Sequence, residues 1–221
     1  MNKKFMLILD TETANSLEDT LPYDIGFTVI DKKGNIYEEH SFAISEIFDW
    51  TELMSTAYYK AKLPKYYEKL KQGTMQKASI WTIRKLIFEL LEKYNINEVY
   101  AYNASFDIKA LNNLVRYLTG SACRYFFKYG IQICDIWHIA CQVLGTQKTF
   151  QWDNVRNKNN NLITNAERMY SYCEDIDFKE DHTGLEDARV EAQILARCLR
   201  SHKKINKNIN RWCWLIPQRV A

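Results

Sequence analysis

The chain has little glycine and less proline, seven and three residues out of 221, a scarcity that excludes collagen-like, Pro-rich and low-complexity chains. Its six cysteines form no C-x-x-C pair and no ladder of short spacings, so neither a small disulfide scaffold nor a zinc module is expected. They read as reduced thiols of a cytoplasmic protein, packed as small apolar side chains. The N-terminal apolar run, Phe5 to Leu9, ends after five residues at Asp10, too short for a signal peptide or a membrane span. There is no G-x-x-x-x-G-K-[ST] phosphate loop and no G-x-S-x-G elbow, which sets aside NTP-driven and acyl-transfer chemistry.

What is present suffices for one folded domain with a tail: 47% hydrophobic and 26% charged residues can build a sizeable core. The net charge of +3 hides an asymmetry. Arg197 to Ala221 hold seven Lys or Arg and no acid, which leaves −4 on residues 1–196 once those seven are subtracted. A mildly acidic body therefore carries a basic tail.

Phe5 to Leu9 has the continuous apolar character of a strand covered on both faces. Tyr23–Ile30 and Asn35–Phe42 flank Asp31-Lys32-Lys33-Gly34 and predict a hairpin. Residues 49–77, rich in Tyr and Lys and broken by Pro64 and Gly73, predict helical turns in a peripheral insertion. Ile80, Ile83, Ile87, Leu90, Leu91 and Tyr94 recur at helical spacing behind Ser79, a candidate cap. Further along, the patterns predict strands at 98–102 and 131–134, helices at 106–118, 136–144, 164–172 and 184–199, and a surface loop over the Asn-rich 151–163. The order implies a mixed α/β sheet with helices on both faces. The one candidate boundary lies near residue 200, before a basic tail over 201–221.

Three acidic stretches carry the chemistry. Asp10-Thr11-Glu12 closes the first strand, and residues i and i+2 of a strand share a face, so two carboxylates project together where the sheet ends. Such a pair calls for a hard divalent cation or for solvent. Asn103-Ala104-Ser105-Phe106-Asp107 turns from a strand into a helix, leaving Asp107 near the positive helix end. His182-Thr183-Gly184-Leu185-Glu186-Asp187 puts an imidazole in a loop and a carboxylate in the first turn of the last long helix.

These motifs, in this order and context, resemble those of the DEDDh branch of the DnaQ-like 3′→5′ exonucleases over roughly residues 5–200. The resemblance implies a ribonuclease H-like fold with a mixed five-stranded sheet, and an exonuclease domain over 1–200. It implies that Asp10, Glu12, Asp107 and Asp187 hold two divalent ions, Mg²⁺ or Mn²⁺, about 3.5–4 Å apart, with His182 as general base. The implied reaction shortens single-stranded DNA or RNA, or frayed 3′ ends, by nucleoside 5′-monophosphates. Backbone amides near Thr13 and Ala14, together with Asn103 and Phe106, are the implied contacts for the terminal nucleotide, although Phe106 fits the apolar face of its helix, and so the core, equally well. Two alternatives stand beside it: a proofreading-type subunit serving a separate polymerase, and a non-catalytic nucleic-acid-binding module of the same fold.

One departure marks the first motif, where Thr13-Ala14-Asn15 replaces the family's usual glycine-containing run. Asn15 is the residue type best able to enter left-handed geometry in its place. Asp135 is read as a helix cap rather than a fifth ligand. Trp137, Trp152 and Phe126-Phe127 fit core packing better than base stacking, whereas the Tyr- and Lys-rich 58–71 fits a strand-guiding surface and a solvated face equally. The basic tail, with Trp212 and Trp214, fits phosphate contact, docking of a partner protein or a second copy, or packing across the body.

Overall fold

A computed structural model describes residues 4–174, 176–179 and 182–220; residues 1–3 of the expected domain and Ala221 of the tail lie outside these. Strands β1 (Phe5–Ala14), β2 (Leu21–Asp31) and β3 (Ile36–Ile44) open the chain. Short helices α1 (Ser45–Phe48) and α2 (Thr51–Met54) lead to α3 (Leu63–Gln72), the strand β4 (Gln76–Ala78) and α4 (Ile80–Lys93). Then come β5 (Glu98–Ala101), α5 (Ala104–Thr119), β6 (Gln132–Asp135), α6 (Ile136–Val143), α7 (Lys148–Asp153), α8 (Ala166–Glu174), α9 (Gly184–Leu199) and α10 (Leu215–Gln218).

The sheet has the order β4-β3-β2-β1-β5-β6. β1 and β3 run antiparallel to β2, while β5 runs parallel to β1 and β6 parallel to β5. Six strands replace the expected five: Gln76–Ala78 pairs in parallel with Phe42–Ile44. Three residues with a Lys in the middle carry no period-2 apolar signal, which is why the strand escaped the sequence pattern. Ser79 accepts a hydrogen bond from the Thr82 amide at 3.2 Å and caps α4 as predicted.

β1 is buried on both faces because alternate residues serve different layers. Leu7 and Leu9 join Ile25, Phe27, Ile83 and Leu111 on one side, and Met6 and Ile8 join Tyr100, Ile139, Ile194 and Leu195 on the other. Asp10 and Glu12 continue the even-numbered set. The carboxylates do not close the strand as expected: they emerge beyond its last pairing with β5 at Ile8, while β1 runs on beside β2 to Ala14.

Two expectations about the periphery change. Residues 49–77 are helical for the most part, but Met54, Ala57, Tyr66 and Met75 are buried and belong to the core. The Tyr66 hydroxyl donates to Asp24 at 2.8 Å. The 151–163 segment begins inside α7, so only its later part is loop. The basic tail packs across the body: Lys207 Nζ lies 2.9 Å from Glu98 Oε1, and the Asn208 carbonyl stands 2.7 Å from His138 Nδ1. Cys213 is buried, and the Leu162 amide donates to Gln218 at 2.8 Å. No helix among the described residues is long and apolar enough to cross a membrane.

Candidate active site

The N-terminus of α9 reaches β1 only because two glycines meet. Gly26 on β2 pairs with Asp10 on β1, and a Cβ added to Gly26 would lie 1.9 Å from the Leu185 nitrogen. One added to Gly184 would lie 2.5 Å from the Gly26 nitrogen and 3.0 Å from the Asp10 carbonyl. Backbone therefore rests on backbone at this point. The Gly184 amide donates to Asp24 Oδ2 at 2.8 Å, and the Asp187 amide donates to the Thr183 carbonyl at 3.0 Å. The outcome is that Asp187, one turn into α9, sits beside Asp10 and Glu12.

α5 approaches from the other face of the sheet. Thr11, between the two β1 carboxylates, donates its amide at 3.0 Å and its hydroxyl at 2.8 Å to Asp107 Oδ1, so β1 itself orients the helix acid. Asn103 turns the chain from β5 into α5 with a left-handed φ of 59°. Its amide donates to Asp135 at 3.1 Å, and Asp135 also accepts from the Trp137 amide at 3.0 Å. Asp135 thus caps α6 and braces the Asn103 turn, as its reading as a cap expected.

Asp10, Glu12, Asp107, Asp187 and His182 line one cavity of about 390 Å³, and Asn103 and Phe106 line it with them. Single ligand atoms of Glu12, His182 and Asp187 lie within 4.8 Å of one another, and His182 Nδ1 stands 4.0 Å from Asp187 Oδ2. Thr13 and Ala14 do not line the cavity. They follow a register shift after Glu12, pair with Pro22 and Leu21, and are buried in β1. Asn15, just beyond, has a φ of 73°, the left-handed turn its type predicts.

Two residues of this neighbourhood escaped the sequence reading, and a third, Tyr59, was read only as part of a surface. Glu191 lines the cavity and accepts from the Tyr102 amide at 3.1 Å; it follows Asp187 by four, a same-face spacing that could have flagged it. Asp24 pairs with Glu12 across β1 and β2 and is fully buried; an acid inside an apolar strand was its only signal. Tyr59 stacks on His182 with centroids 4.3 Å apart and planes 10° from parallel. Trp137, read as core, is half-buried, lines the cavity and donates its indole N–H to Thr164 at 2.9 Å.

Burial dominates the electrostatics. It pushes Glu12 up to about 9, with Asp24, Asp187 and Asp107 adding repulsion and Lys62 opposing it. Asp10 rises strongly by burial and by the nearby Glu191, Asp107, Asp187 and Glu12. Burial also raises Asp107, to about 7, while its bonds from Thr11 hold it down. Buried carboxylates that cannot all ionise together fit a divalent cation with oxygen ligands.

No family model matches the chain, and no curated protein matches it by sequence. Its fold, however, is shared with solved nucleases. A 3′-exonuclease whose structure concerns 3′-end-specific recognition of a histone mRNA stem-loop superimposes with a TM-score of 0.58 at 12% identity, over 93% of this chain and 67% of that one. The fold is therefore the ribonuclease H-like α/β fold of the 3′-exonucleases. E. coli exonuclease I with a dT13 oligonucleotide gives 0.54 at 13% identity, over 91% of this chain and 41% of its own. A zinc-bound exonuclease I–single-stranded DNA complex gives 0.55 at 13%, with the same coverage. The chain thus spans about two-fifths of exonuclease I.

Proposed function

We propose that the protein is a divalent-cation-dependent 3′→5′ exonuclease that shortens single-stranded DNA or RNA by one nucleoside 5′-monophosphate at a time. The observation that carries this reading is the convergence of four carboxylates and one imidazole, drawn from β1, α5, α9 and the loop before α9, on one cavity. Of the proteins of like fold, one is described as a 3′-exonuclease and another as exonuclease I with an oligonucleotide bound.

In this reading Asp10, Glu12, Asp107 and Asp187 would hold divalent ions, Mg²⁺ or Mn²⁺, which would supply positive charge against the phosphate and make the attacking water more acidic. His182 accepts the proton of the attacking water, for which an imidazole is suited near neutral pH. Tyr59 keeps the imidazole plane fixed. Thr11 holds Asp107 toward the cavity, and the Gly26–Gly184 contact holds Asp187 there. Asn103, Phe106 and Trp137 form the walls against which the terminal nucleotide lies.

The test is a single-stranded DNA and an RNA, each labelled at the 5′ end, incubated with Mg²⁺, with EDTA, and with the Asp10→Ala variant. Labelled fragments shrinking from the far end with Mg²⁺ only are expected. Early release of the label as a mononucleotide would mean the opposite polarity, and activity retained by Asp10→Ala would remove the carboxylate site from the reaction.

A further inference from the structure

Many cations of this protein are matched to carboxylates, as in Lys77–Asp49, Lys93–Glu38, Arg168–Asp153 and Arg189–Glu39. One stretch of chain has no acid of its own to make such a match. From Ile108 to Cys134 the chain carries Lys109, Arg116, Arg124 and Lys128 and no acid. Among the described residues no carboxylate lies within 4.0 Å of Arg84, Arg116, Arg124 or Lys128. Three of them lie over rings instead: the Arg84 guanidinium 4.9 Å from the Phe88 centroid, Lys128 Nζ 4.6 Å from the same ring, and Arg116 4.9 Å from Tyr125. A ring face attracts a cation without neutralising it. Burial and the neighbouring Arg124 lower the pKa of Arg84, a sign of crowded like charge.

The aromatics around these cations face outward. Tyr129 is fully exposed and Tyr125 is 60% exposed. Phe126, by contrast, is buried and serves the core. Two clefts run here, one of about 690 Å³ that includes Trp81, Arg84, Phe88 and Lys128, the other of about 270 Å³ that includes Ile108, Asn112 and Tyr125. They share Tyr129 and Ile131, so they form one groove along β6, the edge strand. Glu89 and Glu92 stand on its α4 wall, Glu89 3.7 Å from Lys85. The groove begins at Ile108, next to Asp107, and α5, with 16 residues, spans about 24 Å at about 1.5 Å per residue.

We propose that this groove anchors the 5′ portion of a single-stranded nucleic acid whose 3′ end occupies the acidic cavity, its phosphates against Arg84, Arg124 and Lys128 and its bases on Tyr125 and Tyr129. Cations without carboxylates suit phosphates, and exposed rings suit unpaired bases. An acidic polypeptide would use the cations but leave the rings without a stacking partner. The polarity assigned to the strand rests on the exonuclease reading; the groove's affinity for it does not.

The experiment measures anisotropy of 5′-fluorescein oligothymidylates of about 4 and about 16 nucleotides, the span of single-strand site sizes, in EDTA so that nothing is hydrolysed. The variants are the triple Arg124→Ala/Lys128→Ala/Tyr129→Ala and the single Tyr129→Trp. The triple variant is expected to lose about tenfold or more in affinity for the longer probe, a loss comparable with one stacked base, and little for the shorter. Its dependence of log K on log salt should be shallower by about 1.4, at about 0.7 per phosphate contact. The Tyr129→Trp fluorescence should respond to the longer probe alone. Wild-type affinity in the triple variant, equal losses on both probes, a silent Tyr129→Trp, or displacement of the long probe by polyglutamate as readily as by unlabelled oligothymidylate would each overturn the groove. If the groove binds the strand but Mg²⁺ never leads to shortening, the hydrolytic reading alone falls.

Discussion

The mouth of the sheet and its β6 edge show opposite imbalances. At the mouth, carboxylates from β1, α5 and α9 meet, and burial plus mutual repulsion keep Asp10, Glu12 and Asp107 from ionising in the ordinary range. At the edge, Arg84, Arg116 and Lys128 rest on aromatic rings rather than on acids. At Arg189, by contrast, Glu39 and Glu186 balance the charge within the chain. On the proposed reading the counter-charge comes from outside in both places: a divalent cation at one end, phosphates at the other.

The contrast can be broken most forcefully at the mouth. His182→Ala should reduce turnover on the order of 10²- to 10⁴-fold in a single-turnover assay, while Mg²⁺ still raises the melting temperature; a near-wild-type rate would remove His182 from the chemistry. Gly26→Ala forces a methyl group against the α9 backbone and should cost about 3 kcal/mol or more, read by urea denaturation, with activity lost through displacement of Asp187. Unchanged stability would mean that the Gly26–Gly184 contact does not set the site.

A third prediction concerns pH. Glu12, Asp10 and Asp107 hold protons in the fold that they release when unfolded, since their folded pKa values are raised. Between the usual carboxylate range and about 9 the native state therefore binds more protons, and stability in EDTA should fall as pH rises. Saturating Mg²⁺ should offset that fall, adding about 2.7 kcal/mol at a hundredfold excess over Kd, or about 5–10 °C for a chain of this size. A metal-induced shift larger at pH 5 than at pH 8 would contradict the assignment. The smallest effect is expected for Tyr59→Leu, about a tenfold fall in kcat with KM little changed, worth about 1.4 kcal/mol. Tyr59→Phe should recover it, and in the His182→Ala background Tyr59→Leu should cost nothing more. An equal loss in both backgrounds would make Tyr59 merely structural.

The parts legible in the sequence were those written in local chemistry. Asp10-x-Glu12 announces itself by strand alternation, Asp107 and Asp187 by first-turn positions, and the α9 boundaries by periodicity. What was illegible depends on approach in space. Asp24 matters because Tyr66 and the Gly184 amide converge on it, and neither neighbour is near it in sequence. Tyr59 belongs to a segment whose Tyr and Lys content fitted a peripheral surface, and only the burial of Tyr66 beside it turned that segment inward. β4 was too short to show an alternating pattern, and the tail's basic composition gave no hint that Lys207 would seat against Glu98.

The glycine-to-glycine crossing has one more consequence. Gly184 is locked to β2, the Thr183 hydroxyl accepts from Lys69 Nζ at 3.1 Å, and His182, with its φ of 51° and its ring on Tyr59, leads directly into that anchorage. The imidazole and the Asp187 carboxylate are therefore borne on one joint, so that a disturbance at the crossing displaces both groups together rather than either alone.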